Sequence, residues 1–221
     1  MPDAPPEIAI LGVGRMGRAV AAAATRAGQR VFFGSSRPSA AREAASRIGA
    51  SARGGTRAEA LAAVEIAVLA LRWQGVREAL EETAGLWDGK IAVDLSNPAT
   101  PDGRTLLVGH STSGAEEIAR LIPAARVVKA LNHVYAEVLE AGSRFSSGAP
   151  AAFYCGDDGA AKRRVAAWLD SLGFEAVDAG PLSSARLLEP LAQLAVELVE
   201  GEGRPAADTA FALARRWESP R

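Results

Sequence analysis

The sequence predicts an α/β fold in which a doubly wound parallel sheet is followed by a small C-terminal helical extension. Short apolar runs rich in β-branched residues alternate with longer, alanine-rich amphipathic segments along most of the 221 residues. Polar and apolar residues do not alternate within these runs, which is typical of strands buried on both faces. The regular succession of strand and helix patterns favours a doubly wound parallel sheet.

The runs and segments give the order of the elements. Strands are predicted at Ile8–Leu11, Val31–Gly34, Ile66–Leu71, Ile91–Leu95, Val127–Leu131, Ala151–Cys155 and Glu175–Asp178. Helices are predicted at Arg15–Ala27, Pro38–Ile48, Thr56–Ala62, Val76–Thr83, Gly114–Leu121 and Ala160–Leu172. Gly28 stands just past the first helix, where a C-terminal glycine is expected, and Pro38 lies in the first turn of the second. The Gly-, Pro-, Ser- and Asn-rich stretches Ser96–Leu106 and Gly142–Pro150 are predicted loops.

The last part of the chain changes character. Ser183–Val199 carries leucine and alanine at helical spacing, and Pro190 is expected to kink this helix or to mark a restart. A further helix is expected at about Ala206–Trp217. We therefore divide the chain into an α/β domain at residues 1–180 and a helical extension at residues 181–221, packed on that domain or across a dimer.

Composition excludes several classes of function. The formal net charge of −1 argues against a basic surface for nucleic acid. A single cysteine, Cys155, cannot form an internal disulfide and is typical of a reducing compartment. The N-terminal residues do not resemble a signal peptide, and no stretch approaches the roughly 20 apolar residues of a membrane span. We expect a cytoplasmic protein that binds neither nucleic acid nor membrane.

A glycine motif follows the first predicted strand. Gly12-Val13-Gly14-Arg15-Met16-Gly17 has the G-x-G-x-x-G spacing between a strand and a helix. Gly12 permits a tight turn, Gly14 lets the backbone approach a pyrophosphate, and Gly17 allows close packing of helix and strand. Free N–H groups and the helix dipole at Arg15 and Met16 then favour phosphate. The motif predicts that residues 1–180 form a Rossmann domain that binds a dinucleotide.

The end of the second strand indicates which dinucleotide. Proteins that bind NAD usually place a carboxylate there, whereas this chain has Ser35, Ser36 and Arg37. Hydroxyls and a guanidinium would bind a 2′-phosphate, which a carboxylate would repel. NADPH is therefore favoured over NADH. Alternatively these residues cap the helix that begins at Pro38, and the two interpretations are compatible.

The carboxyl ends of the later strands supply candidates for the nicotinamide end of the site, since ligands of open α/β sheets bind there. The candidates are Ala70, Leu71, Arg72, Asn97, Pro98, Ala130, Asn132 and His133. Ala70 and Leu71 are apolar and would line the path of the dinucleotide. Asn97 and Asn132 can hydrogen-bond a carboxamide or a substrate, although Asn-Pro also favours a simple turn. His133 is the one plausible internal acid or base, and a structural histidine is the favoured alternative. No metal-ligand spacing of His and Cys is present.

Several motifs resemble one family, the NADPH-dependent coenzyme F420 reductases (F420-dependent NADP oxidoreductases). The resemblance covers nearly the whole chain. It is carried by Gly34-Ser35-Ser36-Arg37, by Ile66 through Trp73, by Val127 through Asn132, by Cys155-Gly156-Asp157-Asp158 and by Asp178 through Leu187. The family resemblance implies a Rossmann fold with a helical extension, usually a dimer. It also implies direct hydride transfer between NADP(H) and a deazaflavin or flavin ring stacked near Asn132.

Two departures and two rival functions leave the acceptor open. Ser36 stands where an ungapped match has the family's arginine, and Asn132-His133-Val134-Tyr135 replaces another tetrapeptide. Coenzyme F420, a flavin, a ferric chelate or a quinone-like compound remain possible acceptors.

One rival is an NADP-dependent dehydrogenase or imine reductase, but those enzymes normally add a larger helical domain. The other is a non-catalytic NADPH sensor, with the apolar Leu187–Val199 helix as its interface. We favour a homodimer through that helix.

Overall fold

The computed structural model describes residues 7–142, 144–146, 148–202 and 209–214. Its strands are β1 Glu7–Leu11, β2 Arg30–Gly34, β3 Ala52–Gly55, β4 Ile66–Leu69, β5 Ile91–Asp94, β6 Arg126–Ala130, β7 Ala151–Gly156 and β8 Glu175–Asp178. Its helices are α1 Arg15–Arg26, α2 Pro38–Ile48, α3 Arg57–Ala63, α4 Trp73–Glu82, α5 Gly114–Leu121, α6 Ala136–Ala141, α7 Gly159–Ser171 and α8 Ala185–Glu202. The predicted fold class is confirmed.

The strands form one eight-stranded sheet in the order β3-β2-β1-β4-β5-β6-β7-β8. Strands β1 to β6 are parallel, but β7 pairs antiparallel to β6, and β8 runs parallel to β7. A wholly parallel sheet is thus wrong for the last two strands. A strand buried on both faces has the same residue pattern in either direction, so the sequence does not encode this reversal. The strand order reverses between β1 and β4, which opens a crevice at their carboxyl ends.

Two hydrophobic layers cover the sheet, because successive side chains of each strand point to opposite faces. In β1, Ile8 and Ile10 join the layer that contains α1, α2, α6 and α7. Ala9 and Leu11 join the layer that contains α3, α4, α5 and α8. All four β1 residues are at most 3% exposed. This two-sided burial explains the continuous apolar runs of the sequence.

Two elements escaped prediction. Strand β3 has the sequence Ala-Arg-Gly-Gly and therefore shows no apolar run. A side chain at Gly54 would place its Cβ 2.3 Å from the backbone of Ala41 in α2, so the glycine permits the close approach of helix and strand. Helix α6 has only six residues, too few for a clear helical period. Helix α6 was hidden by its shortness, whereas the two glycines of β3 disfavour a strand and the element is held by its pairing with β2.

The C-terminal part differs from prediction in two respects. Helix α8 runs through Pro190 without a restart, after a short 3₁₀ turn at Leu182–Ser184. Residues 209–214 are not helical, so the helix expected at about Ala206–Trp217 is wrong there; the rest of that span lies outside the described residues. Instead, the carbonyl oxygen of Phe211 accepts a hydrogen bond from the N–H of Ala151 at 2.8 Å. Pairing with the start of β7 satisfies this backbone in place of helical bonds.

Candidate dinucleotide and acceptor site

The glycine loop crosses the crevice between β1 and β4. Gly12 has a φ of 122°, and a Cβ there would lie 2.3 Å from the carbonyl oxygen of Ala70. A Cβ on Gly17 would lie 2.3 Å from the carbonyl oxygen of Gly12. A Cβ on Gly14, by contrast, meets nothing within 4 Å. The first and third glycines are thus required by packing, while Gly14 leaves open space at the start of α1.

The start of α1 suits an anion. Its N-cap residue is Gly14, which has no side chain to cap the helix, and the first turn contains no acidic residue. The orphan N–H groups of the first turn and the positive end of the helix dipole therefore face the open space. This geometry can hold a pyrophosphate in the way that the sequence motif predicts.

The three residues predicted to bind a 2′-phosphate follow the end of β2 and differ in their exposure. Ser35 is buried, and its hydroxyl accepts a hydrogen bond from the N–H of Arg37 at 3.1 Å. This bond closes a turn just before α2, whose N-cap residue is Arg37 and whose start has no side-chain cap, so neither the capping nor the phosphate interpretation describes Ser35. Ser36 and Arg37 are exposed at the start of α2, where a hydroxyl and a guanidinium can reach a ligand. A 2′-phosphate role for these two remains a prediction.

Two adjoining cavities lie at the carboxyl edge of the sheet. The larger has a volume of about 470 Å³ and the smaller about 300 Å³, which is within the range of ligand sites. Predicted residues that line the larger are Gly14, Arg15, Met16, Ala70, Leu71, Arg72, Asn97 and Asn132. Arg15, Met16, Asn97 and Asn132 also line the smaller, which adds His133. Gly12, Gly17, Ser35, Ser36, Arg37, Pro98 and Ala130 line neither cavity.

A pair of asparagines joins the ends of β5 and β6. Asn97 donates from Nδ2 to the carbonyl oxygen of Asn132 at 2.8 Å, and Asn132 donates from Nδ2 to Oδ1 of Asn97 at 2.9 Å. Asn132 also donates to the carbonyl oxygen of Leu188 in α8 at 2.8 Å. Leu131, directly before it, has a φ of 56°, which is unusual for a branched residue and often marks functional sites. The Asn97 side chain thus bonds across the sheet edge, while its carbonyl oxygen accepts from the N–H of Ala99 within the turn at 2.8 Å.

His133 lies in an apolar setting. Its Nε2 is 3.3 Å from the carbonyl oxygen of Ala151, and its ring centroid is 5.1 Å from that of Phe153 and 6.0 Å from that of Phe211. Burial lowers the pKa of His133 to about 4, although the hydrogen bond with Ala151 opposes this shift. The ring is therefore neutral near pH 7. This environment favours the structural interpretation of His133 over the acid or base role.

A buried charged cluster was missed by the sequence reasoning. Lys129, on β6, donates from Nζ to Asp94 Oδ2 at the end of β5 and to Glu189 Oε1 on α8, each at 2.8 Å. It also donates to the carbonyl oxygen of Ser96. All three charged side chains are at most 1% exposed. We name these residues, Lys129, Asp94 and Glu189, the Lys129 cluster.

The Lys129 cluster ties α8 to the sheet edge and to α5. Glu189 accepts hydrogen bonds from the backbone N–H groups of Gly114 and Ala115, at 3.0 and 3.2 Å, and it lines the larger cavity. Asp94 and Lys129 were visible in the sequence as charges inside apolar strand runs, which signals a buried ion pair. Glu189 gave no such signal, because a glutamate on a helix is ordinarily solvated.

The described residues offer no metal site, no membrane-spanning helix and no reactive cysteine. These residues contain no group of three or more His, Cys, Asp or Glu side chains that could hold a metal ion. They also include no helix long and apolar enough to cross a membrane. Cys155 is buried, and burial raises the pKa of its thiol to about 12. It is therefore inert as a nucleophile.

The fold and the glycine loop define a dinucleotide-binding protein of the Rossmann class. Residues 7–98 match a family described as NADP oxidoreductase, coenzyme F420-dependent. A solved structure from Arthrobacter sp. FB24, named as a candidate F420-dependent NADP reductase, is 32% identical. It matches with a TM-score of 0.84 over 94% of this chain and 99% of that one. The chain belongs to this family of NADP-dependent oxidoreductases, as the resemblance implied.

Metalloreductases match this chain in sequence, and a reductive aminase matches it in fold. Metalloreductase STEAP3 of Rattus norvegicus is 34% identical over 86% of this chain and 37% of its own length. The chain thus spans little more than a third of that relative, and 22% of the STEAP2 metalloreductases of human and mouse. A reductive aminase from Aspergillus terreus, solved with NADPH, has a TM-score of 0.65 at 21% identity. It covers 90% of this chain and 64% of that one, and shows the fold alone.

Proposed function

We propose that this protein transfers a hydride between NADP(H) and a planar, flavin-like acceptor such as coenzyme F420 or a flavin. The observation that carries the proposal is the continuity of the site. One cavity runs from the open space at Gly14 to the Asn97–Asn132 pair, and a second cavity shares that pair. A dinucleotide and a second ring can therefore meet at the two asparagines.

The residues present fit an NADP(H) molecule. The start of α1 offers N–H groups to the pyrophosphate, and Ser36 and Arg37 offer donors to the 2′-phosphate. Ala70 and Leu71 provide an apolar wall, and the Asn97–Asn132 pair retains amide capacity for a carboxamide. When bound, NADPH supplies the hydride from its nicotinamide ring. The chain's part is to bind and orient the two rings and to exclude water.

The acceptor would lie in the smaller cavity. Its walls include Val134, Ala192, Ala195 and Val196, which offer flat, apolar contact to a ring system. Hydride transfer between two rings needs alignment and a dry site more than a strong acid. The neutral His133 is consistent with such a reaction. Neither an imine-reducing dehydrogenase nor a sensor is favoured by a particular contact in the site.

The test is anaerobic oxidation of NADPH with a panel of acceptors. The panel contains coenzyme F420, FMN, FAD, ferric citrate and a cyclic imine, and absorbance at the NADPH band gives the rate. We expect turnover with a deazaflavin or flavin, and loss of that turnover in Ala195→Phe, which fills the smaller cavity and does not line the larger one. Ala58→Phe, the same change at an exposed alanine of α3 that lines neither cavity, is the matched control. Turnover of the imine alone would identify the dehydrogenase. NADPH binding without any turnover would identify the sensor.

We also propose that the protein is a cytoplasmic homodimer. The outward face of α8 carries Leu187, Leu194 and Leu198, which are 73%, 50% and 42% exposed. A helix face of this kind in a symmetric pair would bury both copies of the stripe. Light scattering should give twice the chain mass, and Leu194→Glu should return the monomer. A monomeric wild type would refute the dimer.

A further inference from the structure

We infer that the Lys129 cluster favours release of a hydride from NADPH by holding one net negative charge against the nicotinamide end of the cavity. The inference rests on the proposed function, since it concerns the same cavity. Transfer of hydrogen with both bonding electrons leaves one positive charge on the nicotinamide and puts one negative charge on the acceptor. A fixed negative charge attracts the cationic nicotinamide and repels the anionic acceptor, so it favours the transfer when it lies nearer the nicotinamide. Glu189 lines the larger, dinucleotide cavity and does not line the smaller, acceptor cavity.

The hydrogen bonds identify the charge state of the cluster. Asp94 accepts from the N–H and the hydroxyl of Ser96, at 2.8 and 2.7 Å. Glu189 accepts from the first two N–H groups of α5. Each carboxylate also accepts from Lys129, so every partner is a donor, as the ionised form requires. Burial lowers the pKa of Lys129, but the two carboxylates outweigh it and raise its pKa above the ordinary value. One ammonium and two carboxylates leave a net charge of −1.

The cluster adjoins the predicted nicotinamide contacts. Glu189 lines the larger cavity together with Asn97 and Asn132. The residue before it, Leu188, accepts the hydrogen bond from Asn132. The cluster is at most 1% exposed, so water and salt screen its charge weakly. The cationic side chains that line the same cavity, Arg15 and Arg72, are exposed and are screened far more.

The tie that Glu189 makes between α8, α5 and Lys129 does not by itself require the second carboxyl group to be charged. One carboxylate is enough to neutralise Lys129, and burying a further charge is costly. The N–H groups at the start of α5 offset part of that cost at Glu189, but a neutral glutamine could also accept from them. The excess charge is therefore the feature that a function has to explain.

The test measures affinity rather than turnover. Glu189→Gln and Asp94→Asn each bring the net charge of the cluster to zero and leave Lys129 with one carboxylate. Glu197→Gln removes a charge from the exposed face of the same helix and serves as the matched control. Titration calorimetry gives the Kd of NADP⁺ and of NADPH for each protein. We expect the ratio of Kd for NADP⁺ to Kd for NADPH to rise about tenfold in both cluster variants.

The outcomes separate this inference from the proposed function. The ratio should stay at the wild-type value in Glu197→Gln. The rise in the cluster variants should persist in 0.5 M salt, where the Debye length is roughly half its physiological value. If Glu189→Gln does not fold, Asp94→Asn decides. An unchanged ratio, with a lower melting temperature, would show a structural role and overturn the inference alone. A wild type that binds neither nucleotide would overturn the proposed function and the inference with it.

Discussion

Protonation of His133 should make the fold sensitive to mild acid. Burial lowers the pKa of His133 from 6.5 to about 4 in the folded protein, whereas the unfolded chain keeps the ordinary value. Between these two values the unfolded chain binds more protons, so the free energy of unfolding falls as the pH falls. The contribution of the neutral His133 to the free energy of unfolding is complete above pH 6.5 and is lost progressively down to about pH 4. The loss is about 2 kcal/mol by pH 5 and about 3 kcal/mol below pH 4.

Urea unfolding at pH 7.5, 6.5, 5.5 and 5.0 measures this loss. Glu7, Glu116 and Asp178 also have pKa values below their ordinary ones, but their ordinary values of 4.5 and 3.8 lie below the lowest pH of this series. The comparison is between the wild type and His133→Asn, which should lose the pH slope. His110→Asn is the matched control, because asparagine tolerates the φ of 60° at that position. Equal slopes in the wild type and His133→Asn would refute the argument.

Three further predictions follow from the site. NADPH should raise the melting temperature more than NADH at equal concentration if the exposed Ser36 and Arg37 bind the 2′-phosphate as proposed; equal shifts would remove that argument. Arg37→Ala should weaken NADPH about 10- to 100-fold in calorimetry and leave NADH nearly unchanged, since a charge-assisted contact is lost; an equal loss for both nucleotides would exclude the role. Gly17→Val should abolish nucleotide binding and lower the melting temperature, because its Cβ would meet the Gly12 carbonyl at 2.3 Å; wild-type behaviour would contradict the close packing.

The predicted bounds agree best with the observed ones for elements whose sequence pattern is set by residues within the element itself. The predicted spans Pro38–Ile48, Gly114–Leu121 and Glu175–Asp178 match the observed elements residue for residue. Each is bounded by local signals or by an apolar run long enough to show its period. Strand β3 was not predicted because it forms by pairing with β2, which lies elsewhere in the chain. The helix predicted over residues 209–214 is wrong because the carbonyl oxygen of Phe211 accepts a hydrogen bond from Ala151, at the start of β7.

In the site too, the sequence located individual residues but not their contacts with distant segments. The glycine loop and the asparagines could be located from the sequence, because each follows directly after a strand and strand ends converge at one edge. The partners of these residues could not be located. Asn132 bonds to Leu188, and Lys129 to Glu189, across 56 and 60 positions of the chain. For His133 the sequence left two roles open and favoured the structural one, which its aromatic neighbours Phe153 and Phe211 support.

The sequence by itself determined the Rossmann class, the glycine loop between β1 and α1 and the absence of a carboxylate at the end of β2. These depend on backbone geometry and residue type over a few consecutive positions. Only the tertiary structure decided that β7 runs antiparallel, that His133 is neutral, and that Lys129 holds two carboxylates beside the cavity. These features arise from burial and from contacts between distant segments, because both the local dielectric and the hydrogen-bond partner depend on the packed whole.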